Sequence, residues 1–291
     1  MIPLPAHSSH RPDDDLSSEL HTLARSLLGA LSWVTQSRPE IQVFVGLCQR
    51  NAKQLKHRHA QVLNVSLKWI QQHHSGIRYA EFDGSSALYC IVDSAFRADE
   101  PDCLALRADI MGLCQHTDAR IGGKLHTFVT TSKKQSRVNR NTFSAEAGAV
   151  GDAISMCIVL AGLLHEIDKG SCSATTLANC AENGGFSRKI IVFTDSESFF
   201  KACTATEVQL PTERHLAYTV MKVREWLERD IVSELIWIDT RDMLCDGLTK
   251  GSISRFDVMN ALNQGYWTLK HTPQRWSARG RGPVNSSTTP T

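Results

Sequence analysis

Four carboxylates stand where apolar segments break. Asp93 follows the β-prone run ALYCIV, and Asp195 follows KIIVFT. Glu146 lies near the start of a long apolar helical stretch, and Asp246 opens the last helical segment. Acids at strand ends and helix starts converge when their strands pair at the centre of a sheet. Four such charges in one dry site repel one another unless cations balance them. Mg2+ suits the task because it takes carboxylate oxygens octahedrally and keeps several waters, and Mn2+ is the close alternative. Two ions about 4 Å apart can activate water and stabilise the leaving oxygen of a phosphodiester. Each acid taken alone has a plainer use as a cap, a turn residue or solvated surface. Asp195 with Ser196, for example, can simply start a helix.

The elements that must position these acids follow from periodicity. Residues 16–36 carry Leu20, Leu23, Leu27, Leu28, Leu31 and Val34 on one helical face, and Pro39 ends the run. Further helices are predicted over 41–48 and 59–72, so residues 16–80 read as a small helical unit. The pattern then turns β-prone at 87–92, 104–114 and 125–131, with Gly122–Gly123 as a turn. A long buried helix is predicted over 145–167. A continuous apolar strand follows at 189–194, then a helix at 212–229, a strand at 235–239 and a partly helical stretch at 246–262. Five strands and three helices make an α/β or α+β fold with a mixed sheet over 87–262. Residues 1–15 read as a flexible leader. Residues 272–291 show no packing pattern and read as a disordered basic tail.

Composition narrows the classes. Across 291 residues, 42% are hydrophobic and 21% charged, so the bulk of the chain is globular. A formal charge of +2 leaves nucleic-acid binding to local charge placement. No run approaches roughly 18 uninterrupted apolar residues, which argues against a membrane span, and the first residues do not read as a signal peptide. The nine cysteines form no C-x-x-C pair, which argues against structural zinc and a disulfide scaffold. The expected setting is the cytoplasm or nucleus, without secretion or membrane.

Longer motifs carry a resemblance. ARSLLGALSWVTQSRPEI (24–41) is similar to the end of the reverse transcriptase of Ty1/copia-type retrotransposons, with Trp33 and Glu40 at variant positions. HAQVLNVSLKWIQQHHSGIRY (59–79) resembles the helix that follows there. IVDSAFRAD (91–99), TSKKQSRVNRNTFSAEAGAV (131–150), FTDSESFFKA (193–202), PTERHLAYTVMKVREWLE (211–228) and WIDTRDMLCDGLTKG (237–251) then resemble that family's ribonuclease H segments, in order. The resemblance spans about residues 16–255. It implies a ribonuclease H-like fold, with a mixed five-stranded sheet and flanking helices. It places Asp93, Glu146, Asp195 and Asp246 on the catalytic, metal-ligating acids. The implied reaction is divalent-metal-dependent cleavage of the RNA strand of an RNA–DNA hybrid, with an upstream reverse-transcriptase module as a partner. The polymerase aspartates would lie before residue 1, so polymerisation is not expected.

The chain also departs from the pattern. Gly148 replaces the second glutamate after Glu146, Phe96 and Arg97 stand near an expected Asp-Trp, and Ser196 replaces an asparagine. No histidine lies between Asp239 and Asp246. A catalytically inactive relic of the same fold, binding nucleic acid or protein, is therefore the competing reading. Lys133, Lys134, Arg137 and Arg140 precede Glu146 and can hold backbone phosphates without reading bases, or can form a solvated loop. His215 beside Arg214 is a further nucleic-acid contact or a surface residue.

Overall fold

The computed structural model describes residues 1–4, 11–97, 102–115, 122–207, 211 and 213–278. At its centre lies β1 (Ser86–Ala95), buried along nearly its whole length. Leu88, Cys90 and Val92 face one core, while Ala87, Tyr89 and Ile91 face the other. That is the period-two alternation of a strand covered on both sides. β2 (Leu106–Gln115) and β3 (Gly122–Lys134) continue antiparallel from β1. β4 (Ile190–Thr194) lies parallel on the other flank of β1, and β5 (Glu234–Trp237) lies parallel to β4. Gly112 sits at a register shift between β2 and β3, where a Cβ would fall 1.8 Å from the His126 carbonyl oxygen. No residue with a side chain fits there without moving the strands.

Among the described residues seven strands form the sheet, in the order β6 (Tyr266–Thr268), β3, β2, β1, β4, β5, β7 (Gln274–Trp276). The five expected strands are its middle. The additions are three-residue edges: β6 pairs with β3, and β7 pairs with β5. β7 corrects the expectation of a disordered tail from residue 272, because Trp276 packs on the core and Arg275 pairs with Glu234. Residues 279–291 lie outside the described residues.

One face of the sheet carries α4 (Thr142–Lys169), α6 (Glu197–Thr204) and α7 (Arg214–Glu228). The other carries α8 (Asp246–Thr249) and α9 (Phe256–Gln264). α5 (Ala174–Asn183), with no buried residue, has no counterpart among the sequence-predicted helices, whereas α6 is the helix that Asp195 with Ser196 is able to start. α4 begins on a capping box in which the Asn141 side chain accepts from the Ser144 N–H. Its burial is one-sided: Ala147, Val150, Ile154 and Cys157 enter the core, whereas Val159, Leu163 and Ile167 are exposed. It is therefore not buried all round, although it is long and apolar enough to cross a membrane.

The amino-terminal helices α1 (Ser18–Val34), α2 (Gln42–Arg50) and α3 (His57–Gln72) enclose their own core of Ala24, Leu28, Leu31, Ile41, Val45 and Leu63. The unit docks on the sheet through α2, where Gln42 Nε2 donates to the Thr130 hydroxyl at 2.9 Å. Ile2 is buried in the same core, and its N–H donates to Asn64 Oδ1 at 2.8 Å. Asp13 pairs with Arg58 at 2.6 Å. These contacts correct the reading of 1–15 as a loose leader for both its first residues and its end; residues 5–10 lie outside the described set.

Candidate functional site

The parallel pairing of β1 with β4 brings their carboxyl ends side by side. Asp93 lies near the end of β1, and Asp195 follows the last residue of β4. Glu146 comes from the second turn of α4, whose amino-terminal end meets the same edge. Ligand atoms of Asp93, Glu146 and Asp195 all lie within 4.8 Å of one another. Asp246, the first residue of α8, is close enough to raise the proton affinity of Asp93 and Asp195 but stands outside that group. Three of the four acids thus converge tightly and line one cleft, and Asp246 lies beside them without lining it.

Hydrogen bonds fix these carboxylates. The Thr249 hydroxyl donates to Asp93 Oδ2, joining α8 to the central strand. The Thr240 hydroxyl donates to Asp195 Oδ2 at 2.9 Å, and the Trp237 indole N–H holds the Asp195 carbonyl at 3.0 Å. The backbone N–H of Ser94 supports Glu146. Gln135 ties the two sides together: its amide donates to Ser94 Oγ at 3.1 Å and to the Ala145 carbonyl at 2.8 Å.

The electrostatics follow from crowding. Burial, with Asp195 and Asp246 adding to it, pushes the Asp93 carboxyl up to about 7. Burial, then the charges of Asp93 and Asp195, holds Glu146 well above the usual carboxylate range. Asp195 is raised by burial, against the opposing Thr240 hydrogen bond. Glu146 Oε2 is buried without a hydrogen-bond partner. A buried carboxylate oxygen left unsatisfied is costly, and a cation is the partner that suits three oxygens this close. The donor set is all carboxylate, which fits a hard divalent ion such as Mg2+.

The cleft over these acids has a volume of 790 Å³, and Arg97 and Lys250 are its basic lining residues. The sequence-predicted cations stand elsewhere. Lys133 is exposed near the end of β3, while Lys134 is half-buried and pairs with Asp102 at 2.6 Å. Arg137 and Arg140 are exposed in the connection leading to α4. His215 is exposed in the first turn of α7, with Nε2 3.6 Å from Glu213 Oε2. None of the five lines the cleft. Sequence reasoning assigned no chemistry to Gln135, Thr249 or Lys250, although SKKQ and LTK were the signals that held them.

A mixed parallel and antiparallel sheet with helices on both faces, and carboxylates gathered at the ends of its central strands, define this as an α/β protein. No family model matches the sequence, and no curated protein matches it. Among solved structures, the chain is similar to an N-terminal RNase H domain from Mycobacterium tuberculosis, determined as a fusion with maltose binding protein. That likeness covers 62% of this chain and 98% of that one, at 12% identity and a TM-score of 0.34. It is also similar to the NurA nuclease from Sulfolobus solfataricus, over 68% of this chain and 63% of that one, at 11% identity and a TM-score of 0.27.

Proposed function

We propose that this protein is a divalent-metal-dependent nuclease that cleaves the RNA strand of RNA–DNA hybrids. We further propose that it is part of, or derived from, a Ty1/copia-type retrotransposon polyprotein. The observation that carries the reading is the convergence of Asp93, Glu146 and Asp195 around a buried, partnerless Glu146 oxygen. Those three residues would hold Mg2+ or Mn2+, which supplies Lewis-acid activation of water and charge stabilisation at a phosphodiester.

The chain's own groups do the rest. Thr249 and Thr240 orient Asp93 and Asp195. Gln135 keeps the start of α4 against the end of β1, so that Glu146 stays in reach of the other acids. Arg97 gives the cleft positive charge where a phosphate would enter, beside Lys250, which pairs with Asp246. Lys133, Arg137 and Arg140 extend exposed charge along the connection to α4, suited to contacts with a nucleic-acid backbone.

The test is cleavage of a labelled RNA–DNA hybrid, with and without Mg2+, by the parent protein and by Asp195→Asn. Mg2+-dependent cleavage that the substitution abolishes supports the reading. Hybrid binding without cleavage would favour the inactive-relic alternative.

A further inference from the structure

Asp246 is already paired. It opens α8, and Lys250 follows four residues later, so one helical turn sets the ammonium group against Asp246 Oδ1. The Asp246 side chain is 11% exposed and that of Lys250 36%, which removes much of the water that would weaken such a pair. Lys250 lines the cleft together with Asp93, Glu146 and Asp195. The residue before it, Thr249, holds Asp93, so the backbone that places the ammonium is fixed to the metal-facing strand.

The consequence concerns charge. Three carboxylates converge within 4.8 Å, and the fourth acid lies outside that group. One divalent cation on the three leaves Asp246 to be neutralised, and Lys250 does this without a second ion. A second divalent ion on Asp246 would meet the ammonium at close range in a partly dry cleft, where like charges repel strongly.

We infer that Lys250 is the resident second cation of the site: one divalent ion belongs to Asp93, Glu146 and Asp195, while the Lys250 ammonium neutralises Asp246. This rests on the proposed reading that the acids hold a divalent cation, and it replaces the two ions implied by the family resemblance with one ion and a lysine. Lys250 is thus a positioning and charge-balancing residue.

The test is metal stoichiometry on the full chain, with Mn2+ as the probe, followed by calorimetry and electron paramagnetic resonance. The parent protein is expected to bind one Mn2+ with the spectrum of an isolated ion. Lys250→Met, with the ammonium removed, is expected to bind two and to show magnetic coupling between them; Lys250→Arg should remain at one. Asp246→Asn is expected to keep the affinity of the single ion within about threefold, whereas Asp93→Asn should weaken it by more than about 100-fold. Lys250→Gln serves if Lys250→Met fails to fold. Two coupled ions in the parent protein would overturn the inference while leaving the metal-dependent reading intact. A single ion in every neutral variant at position 250 would also overturn it. No Mn2+ binding by the parent would remove both the inference and the reading beneath it.

Discussion

Gln135 and Ser94 lie in hydrogen-bond contact at 3.1 Å, although 41 residues separate them in sequence. The bond joins the end of β3 to the end of β1, beside Asp93, and the same amide reaches the Ala145 carbonyl beside Glu146. One side chain therefore sets the spacing between two of the three converging acids. Asn139 closes the arrangement by donating to Gln135 Oε1 at 3.2 Å. Gln135→Leu leaves the buried Ala145 carbonyl and the Asn139 amide without this partner, so stability should fall by about 1–3 kcal/mol in urea unfolding. Mn2+ affinity should fall by about tenfold or more, as expected for a residue supporting a ligand. A variant that loses stability but keeps its full metal affinity would show that Gln135 does not set the spacing.

The raised acids fix the direction of the pH dependence. Asp93 has a folded-state value of about 7 against an ordinary 3.8, so the folded apoprotein binds the proton more tightly than the unfolded chain does. Glu146 and Asp195 are shifted the same way. Their ionisation therefore costs stability as pH rises from the ordinary carboxylate range toward about 7. The melting temperature of the metal-free protein, relative to that of Asp93→Asn, should fall between about pH 4 and pH 8. Saturating Mg2+ should reverse the loss at the upper end. An unchanged difference between parent and variant across that range contradicts the assigned crowding.

Phosphate contacts should divide unequally among the basic residues. Lys133 is exposed, whereas Lys134 is engaged with Asp102. Lys133→Ala should weaken hybrid binding and reduce the slope of log affinity against log salt by about one, with a smaller effect from Lys134→Ala. Fluorescence anisotropy at several salt concentrations measures both. Equal effects, or none from Lys133→Ala, would remove this surface from the interface.

The connection from α3 to β1 contains no regular element, yet it is strapped down. Gly76 N–H donates to Asn263 Oδ1 at 2.7 Å, Arg78 N–H to the Leu262 carbonyl at 2.9 Å, and the Tyr79 hydroxyl to the Thr127 carbonyl at 2.9 Å. Proteolysis between residues 73 and 86 should therefore be slow in the parent and faster in Asn263→Ala, which releases the first strap. Mass spectrometry of the fragments locates the cut. Rapid cleavage of the parent at this segment would show that the straps do not hold.

Periodicity reveals the long elements of this fold and not the short ones. β1 and β4 were legible because both are continuous apolar runs; Asp195 marks the end of β4, whereas β1 runs two residues past Asp93, which did not end the strand as its position suggested. The middle of the sheet and the position of Glu146 follow from the same logic. β6 and β7, at three residues each, are too short to carry a period and are defined by pairing with β3 and β5. The roles of Gln135 and Lys250 were not legible, because their partners depend on the assembled fold and on one turn of a four-residue helix. Burial of Ile2 likewise depends on Asn64, which lies 62 residues away.

The most direct measurement is single-turnover cleavage of an end-labelled RNA–DNA hybrid at matched Mg2+ by the parent protein and Asp195→Asn. Asp195→Asn keeps the shape of the side chain but removes the charge that would help hold the cation. The account expects cleavage of the RNA strand that requires Mg2+, a loss of about three orders of magnitude or more in the variant, and retained hybrid binding. Cleavage by the two proteins at equal rates, or no cleavage by the parent under any Mg2+ or Mn2+ condition, would contradict it.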